Sequence, residues 1–340
     1  MPNLIRSSSL TNFIDVARAA GLDPYRQLRK AGVSTSALLD PDIKIPANSV
    51  MRLLEDSAQA SGVEDFGLRM GETRQLDNLG PLAIALREEA TLREALGSVA
   101  RHLVLYNESM ELRIEEGDGV ALLKLLVIHG ARGSLRQSIE IVMCTLYRIL
   151  KLFLGASWKP RSVCFEHKAP ASLVTHRRVF GTSILFNQDF DGIVLSQTDF
   201  DTKISSYDPV LAWHARDFLN AKLAQSDVTM PDKVRKLVLA LLPKGECVAE
   251  RVAEQLGMDR KTVHRHLASH GQNYSSIVDA VRVDLVIQYV ENRERPLSDV
   301  AILLGFSSLS AFSRWFSDRF GCSVSTWRRE IRQPVLTSTV

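Results

Sequence analysis

The chain has 340 residues, 45% hydrophobic and 24% charged, with a formal net charge of +3. That composition is ordinary for a globular protein, long enough for two or more domains with their own cores, and it excludes a disordered chain except at the ends. No run approaches the roughly 20 apolar residues of a membrane span, and Met1-Pro2-Asn3-Leu4-Ile5-Arg6-Ser7 is no signal peptide, so a cytoplasmic protein with no membrane contact is expected.

The first hundred residues read as short helices stopped by glycine: Leu10 to Ala20 before Gly21, Tyr25 to Ala31 before Gly32, and Asn48 to Ser61 before Gly62. Thr91 with Glu94 three residues on has the capping-box pattern, and Leu92, Leu96, Val99 and Leu103 follow at helical spacing. The period then changes to two. Met110, Leu112 and Ile114 alternate with charged residues, Gly117-Asp118-Gly119 makes a turn, and the apolar run Val120 to Ile128 completes a β-hairpin. No helix start follows that turn, so it is not a phosphate loop.

Leu135, Ile139, Val142, Leu146, Ile149 and Phe153 step along one long helix. A dimerisation seam would show only this stripe, but Ile141, Met143, Leu150, Leu152 and Leu154 widen it into the surface of a core helix. Short strands are expected at Ser162 to Glu166, Ile184 to Phe186 and Ile193 to Ser196, with a helix near Ala171 to Phe180. Asp208-Pro209 opens a further helix with Leu211, Ala215, Phe218 and Leu219 on one face. The fold class is therefore an α/β N-terminal domain over 1–225, a linker at 226–231, an all-α domain over 232–332 and a flexible tail at 333–340.

The all-α part carries one pattern twice, 48 residues apart: Val252-Ala253 to Gly257 leading to Val263 and Leu267, then Val300-Ala301 to Gly305 leading to Phe312 and Phe316. Each copy reads as a helix-turn-helix. Ala253 and Ala301 let two helices approach, Gly257 and Gly305 turn the chain where a side chain would clash, and the later apolar pair anchors the second helix. The expected helices are Lys233 to Leu242, Val248 to Leu256, Arg260 to Ser269, Ser275 to Val290, Leu297 to Leu304, Ser308 to Arg319 and Ser325 to Arg332. In the Ser275 helix, Ile277, Val281, Leu285 and Tyr289 recur every four residues, so this linker helix packs against both repeats and fixes their spacing. Its roughly 24 Å, with helix radii added, brings two reading helices near the ~34 Å of one DNA turn. The charge agrees: 231–332 holds 16 Lys and Arg against 12 Asp and Glu, while 1–230 holds 26 against 27. That is a mild footprint for a nucleic-acid surface.

These residues, with Arg265, Gly271, Tyr274, Arg282, Ser310-Ala311-Phe312-Ser313-Arg314, Phe320-Gly321 and Trp327-Arg328, resemble the AraC/XylS family of bacterial transcription regulators. Val324 departs from the family's usual Pro, which touches only the cap of the last helix. Leu79-Gly80-Pro81-Leu82, Thr91 to Ala95, Val163 to His167 and Asp208-Pro209 resemble the family's larger, arabinose-binding-like regulatory domain. The resemblance implies a sequence-specific regulator, activator or repressor, on double-stranded promoter DNA. RNA polymerase, a small-molecule effector and a second copy of the chain are its implied partners.

By family position, Lys261, His264 and Arg265 on the first reading helix and Leu309, Ser310, Ser313 and Arg314 on the second face bases, with Thr262 on the same surface. Arg265 and Arg314 are the strongest candidates, because a guanidinium can bond guanine O6 and N7 together. A phosphate contact or an internal brace is the plainer role for either. Arg260, after the Asp259 cap, and Arg319 suit phosphates. His264 and His266 lie on different helix faces and make no joint metal site. Trp315 and Trp327 fall in apolar stripes and belong to the core rather than to a base-stacking platform. His129, Arg132 and Arg136, where a strand gives way to the long helix, are weak candidates for an anionic effector.

Cys144, Cys164, Cys247 and Cys322 lie far apart with no metal-ligand or disulfide spacing, so buried thiols are expected, and neither metal nor cofactor. An enzyme fused to a regulator, for instance a methyl-accepting cysteine protein, would need an activated thiolate that no Cys here has neighbours to supply. No nucleophile elbow, zinc-protease motif or Walker loop occurs either. A DNA-binding regulator without effector, governed by abundance or by a protein partner, remains the other reading.

Overall fold

The computed structural model describes residues 3–127, 135–181, 183–205, 207–225, 229–291 and 295–330. The chain divides into two compact units, Met1–Ser226 and Asp227–Val340.

The first unit runs β1 (Leu4–Arg6), α1 (Phe13–Ala19), α2 (Pro24–Ala31), β2 (Lys44–Pro46), α3 (Ala47–Ser61), α4 (Phe66–Glu72), α5 (Pro81–Arg87), α6 (Leu92–His102), β3 (Met110–Gly117), β4 (Val120–Val127), α7 (Arg136–Leu154), β5 (Ser162–Cys164), α8 (Val174–Phe180), β6 (Ile184–Leu185), β7 (Asp191–Ser196), α9 (Gln197–Phe200) and α10 (Pro209–Gln225). Strands β1 and β2 form a small antiparallel pair. The main sheet has the order β3-β4-β7-β5-β6, antiparallel except for β5-β6. The hairpin closes as the sequence predicts: Gly117 pairs with Val120, and Asp118 and Gly119 both take positive φ, as a two-residue turn matched to strand twist requires.

Helix α7 separates two cores. Ile139, Met143, Leu146 and Leu150 belong to the core that includes Leu112, Leu123 and Ile193 of the sheet, whereas Ile141 joins Phe13, Leu28, Leu53 and Phe66 of the first four helices. Two glycines one turn apart set this crossing. A Cβ on Gly67 would stand 2.1 Å from the Gln137 carbonyl oxygen, and one on Gly71 2.6 Å from Cys144 Cβ, so α4 lies directly on α7. Buried Gln137 locks the contact: its Oε1 accepts from Gly67 N–H at 2.7 Å and its amide donates to the Glu64 carbonyl at 3.0 Å.

Several local expectations are corrected. The first helix starts at Phe13, not Leu10, because Ser7–Leu10 is a 3-10 turn and Asn12 breaks the path with a left-handed φ of 63°. Thr91 Oγ1 does accept from Glu94 N–H, but the Glu94 carboxylate accepts from Ala90 N–H and no reciprocal box forms. The reason is long-range: this segment is bridged to residues 202–204. Strand β5 stops at Cys164 because the Glu166 N–H donates to the Asp191 carboxylate at 2.9 Å. On α10 the buried residues are Ala212 and Leu219, while Leu211 and Phe218 are 43% and 46% exposed beside exposed Val210 and Trp213. Cys144 and Cys164 are buried as expected, but Cys247 and Cys322 are half-buried, and Cys247 Sγ lies 3.1 Å from the Tyr274 hydroxyl.

The second unit is helical among its described residues: α11 (Met230–Leu241), α12 (Ala249–Gln255), α13 (Arg260–Ala268), α14 (Tyr274–Glu291), α15 (Leu297–Leu303), α16 (Leu309–Phe320) and α17 (Val324–Glu330). Helix α11 begins inside the segment read as linker, because Thr229 and Asp232 form a reciprocal capping box around Met230 and Pro231. Helix α14 buries Ile277, Val281, Leu285 and Tyr289, and reaches the first repeat chiefly through α11, where Arg235 pairs with Asp284.

The two turn glycines differ. Both have left-handed φ, 64° at Gly257 and 65° at Gly305. A Cβ at Gly257 would meet nothing within 4 Å, so backbone conformation and not a clash requires glycine there. A Cβ at Gly305 would stand 2.9 Å from Leu242 Cδ1, where the second turn rests on the base of the first repeat.

Glycine-to-alanine changes should therefore separate by mechanism in equilibrium denaturation of the full chain. Gly257→Ala should cost about 1 kcal/mol for conformation alone, and Gly305→Ala about 2–3 kcal/mol because Leu242 must also move. Gly67→Ala should cost about 3 kcal/mol by forcing two helix backbones apart. Gly97→Ala, in α6 with nothing within 4 Å, should be neutral or stabilising by about 0.5–1 kcal/mol. Equal effects at Gly257 and Gly305 would contradict the seam with Leu242.

Candidate nucleic-acid interface

In the first repeat, Val252 and Ala253 are buried on α12, and Val263 and Leu267 are buried on α13. Asp259 caps α13: its Oδ1 accepts from Thr262 N–H at 2.9 Å and its Oδ2 from the Thr262 hydroxyl at 2.7 Å. Those two bonds, hydroxyl first, hold the Asp259 carboxyl below its usual range. Thr262 is thus half-buried and committed to the cap, while Arg260, Lys261, His264 and Arg265 are exposed. Arg260 Nη1 meets Glu250 Oε1 of α12 at 2.5 Å, both side chains well exposed. The residue expected on a phosphate therefore has an internal acidic partner, though an exposed pair of this kind is weak enough to exchange.

In the second repeat, Ala301 on α15 and Phe312 and Phe316 on α16 are buried. Ser308 caps α16 by accepting from Ala311 N–H at 3.2 Å. Leu309, Ser310, Arg314 and Arg319 are exposed, and Ser313 is half-buried. Trp315 and Trp327 are half-buried in a continuous aromatic group with Phe306, Phe312, Phe316 and Phe320, so they support the helix rather than offer a stacking face. Among the described residues Lys261, Arg265, Arg314 and Arg319 have no ion pair. The surface of the two helices is thus a row of cations and hydroxyls on a rigid apolar base.

Braces hold that base, and sequence reasoning named their residues without their roles. Arg282 of α14 donates from Nε to the Leu304 carbonyl at 2.9 Å and from Nη2 to the Gly305 carbonyl at 3.1 Å, with its guanidinium 4.1 Å over the Phe306 ring. Arg328 of α17 donates to the Val290 carbonyl at 2.9 Å and to the Arg295 carbonyl at 3.0 Å. The Leu304 and Val290 carbonyls lie at the C-terminal ends of α15 and α14, where a helix leaves its last acceptors without partners. At Val324, Ser323 caps α17 by accepting from Thr326 N–H at 3.1 Å, so the helix starts without proline.

In the first unit, His129 and Arg132 lie outside the described residues. Arg136 is drawn inward: its Nε donates to Glu140 Oε1 at 2.9 Å, and the same oxygen lies 2.9 Å from His176 Nε2 and 3.6 Å from His167 Nε2. Glu140 and His176 are fully buried. Burial lowers His167 below its ordinary value in spite of Glu140, and burial raises the Asp191 carboxyl to about 7 against the Glu166 N–H that it accepts. Among the described residues no group of three ligating side chains is placed to hold a metal. Burial pushes the Cys144 thiol up to about 12, so it stays protonated at neutral pH.

Residues 21–204 match the family described as the arabinose-binding domain of AraC transcription regulator, and residues 252–330 match a helix-turn-helix domain. The chain is 28% identical over 329 residues to the HTH-type transcriptional regulator VirS of Mycobacterium tuberculosis, covering 96% of each chain. It is 28% identical over 310 residues to the ornithine utilization regulator of Pseudomonas aeruginosa, covering 87% of this chain and 91% of that one. Among solved structures, the transcriptional regulator CdpR from Pseudomonas aeruginosa aligns with a TM-score of 0.44 at 17% identity, over 90% of this chain and 96% of that one. No described helix is long and apolar enough to cross a membrane. With an α/β unit of the arabinose-binding type followed by paired helix-turn-helix repeats, the chain belongs to the AraC family of DNA-binding transcription regulators.

Proposed function

We propose that α13 and α16 enter successive major-groove faces of an asymmetric promoter site, and that a small molecule held by the first unit governs the outcome at the promoter. The observation that carries the DNA reading is the exposed cationic face of both helices on one braced scaffold. Its 18-residue α14 is about 27 Å long, which with helix radii approaches the ~34 Å repeat of the duplex. Regulatory (1–225) and DNA-binding (232–332) segments, a cytoplasmic location, activation through RNA polymerase and a second copy of the chain belong to the same reading. Effector control is supported by the arabinose-binding type of the first unit.

Arg265 and Lys261 give the first helix two free cations beside His264, whereas the second offers Arg314 beside Leu309, Ser310 and Ser313. Base recognition is therefore weighted to the first repeat. Quantitative footprinting should show Arg265→Ala losing about 1–3 kcal/mol of promoter-specific binding, with a smaller loss of specificity for Arg314→Ala. Equal losses would contradict that weighting. Glu250→Gln releases Arg260, so affinity for any duplex should rise up to about fivefold and more at low salt than at high; an unchanged affinity removes Arg260 from the phosphate contacts. If the full chain shows no preference for any promoter over random duplex at moderate salt, the groove reading fails as a whole.

A further inference from the structure

The helices α13 and α16 can be compared residue by residue, because their caps coincide. Asp259 accepts from the Thr262 N–H and Ser308 accepts from the Ala311 N–H, each time from the third residue of the helix. Counted from those caps, the buried pairs Val263 with Leu267 and Phe312 with Phe316 fall at the fourth and eighth places, and Arg265 and Arg314 both fall at the sixth. Core and last cation are therefore shared. The difference lies at the first, second and fifth places, which hold Arg260, Lys261 and His264 in one helix and Leu309, Ser310 and Ser313 in the other.

The first place changes most in character. In the first repeat it holds Arg260, drawn to Glu250 of α12. In the second it holds Leu309, which stands 43% exposed in the first turn of α16. Leu309 is the one large apolar side chain exposed on either helix. Ser310 beside it is exposed, and Ser313, one turn on, lies half-buried on the same side.

The first turn of a reading helix is the part that meets base edges in the major groove. Donors and acceptors line that groove at every base pair, and the C5-methyl of thymine is its apolar group. Leucine has no donor or acceptor. Against any other base edge it would strip water from polar groups that it cannot satisfy. Against the methyl it removes apolar surface from water on both sides. The Ser308 cap fixes the backbone from which Leu309 projects, so the contact needs no ordering of the chain.

We propose that Leu309 reads the 5-methyl group of a thymine in the half-site bound by the second repeat, so that this repeat selects a T·A pair by apolar contact where the first repeat presents charge. The proposal rests on the groove reading above, and it adds a base identity and the residue that sets it.

The test takes a duplex that the full chain prefers over random DNA and replaces its thymines one at a time by deoxyuridine, which removes the methyl and keeps the pairing. One replacement should weaken binding about three- to sixfold, as expected for one buried methyl. Leu309→Ala should weaken binding to the all-thymine duplex by a similar factor and should abolish the uracil effect at that one position, so that the two changes together lose no more than either alone. Leu309→Met, which keeps an apolar tip, should retain the uracil effect, and so should Arg314→Ala, which weakens binding through a different side chain. Because Leu309 is exposed, Leu309→Ala should leave the circular dichroism spectrum and thermal midpoint of the chain unchanged. A preferred duplex in which no thymine is sensitive to uracil, or in which every uracil effect is the same in Leu309→Ala as in the unaltered chain, overturns this assignment alone. If no duplex is preferred over random DNA, the groove reading falls and the assignment falls with it.

Discussion

The second helix-turn-helix depends on Arg282. Its guanidinium bonds two carbonyls at the end of α15 and covers the Phe306 ring, fastening the turn of the second repeat to the linker helix. A charged donor on two otherwise orphaned acceptors is stronger than a neutral bond and directional enough to fix rotation. The seam of Gly305 on Leu242 adds a contact with no room for even a Cβ. Two helix-turn-helix modules on one chain keep a fixed separation only if the elements between them do not drift. The clamp and the seam supply that rigidity, and α14 supplies the length.

The first unit uses the opposite chemistry for the same end. There, Gly67 and Gly71 remove side chains so that helix backbones meet, and Gln137 fills the hydrogen-bonding needs that the close approach creates. The consequence is a crevice between two cores with Arg74 set against it.

Charge is partitioned to match. Arg136, Glu140 and His176 are turned inward in the first unit, where they brace, whereas Lys261, Arg265, Arg314 and Arg319 stand outward in the second. A hydrated cation is free to exchange partners, whereas a desolvated one is fixed by the groups around it. The two units place the same residue types in these two environments.

Features encoded within a few residues were legible in the sequence: the repeated Ala and Gly positions, the Asp259 and Asp208 caps, the Asp118-Gly119 turn and the apolar period of α7 each require only local geometry. The buried face of α10 was misread because Leu211 and Phe218 fit the stripe as well as Ala212 does, and only the neighbours they meet decide between them. The roles of Arg282 and Arg328 needed the carbonyls of distant helix ends. The meeting of Ser9, Arg74 and Ser138 needed a crossing set by two glycines more than sixty residues from α7's own contact positions. Sequence by itself determined most of the segments that are helices, strands and turns, and that two helix-turn-helix modules stand in tandem, because hydrogen-bond periodicity and capping act over one or two turns of chain. Only tertiary structure decided which cations are free and which are braces, and where a polar crevice opens, because desolvation and close contact depend on residues the chain brings together from afar.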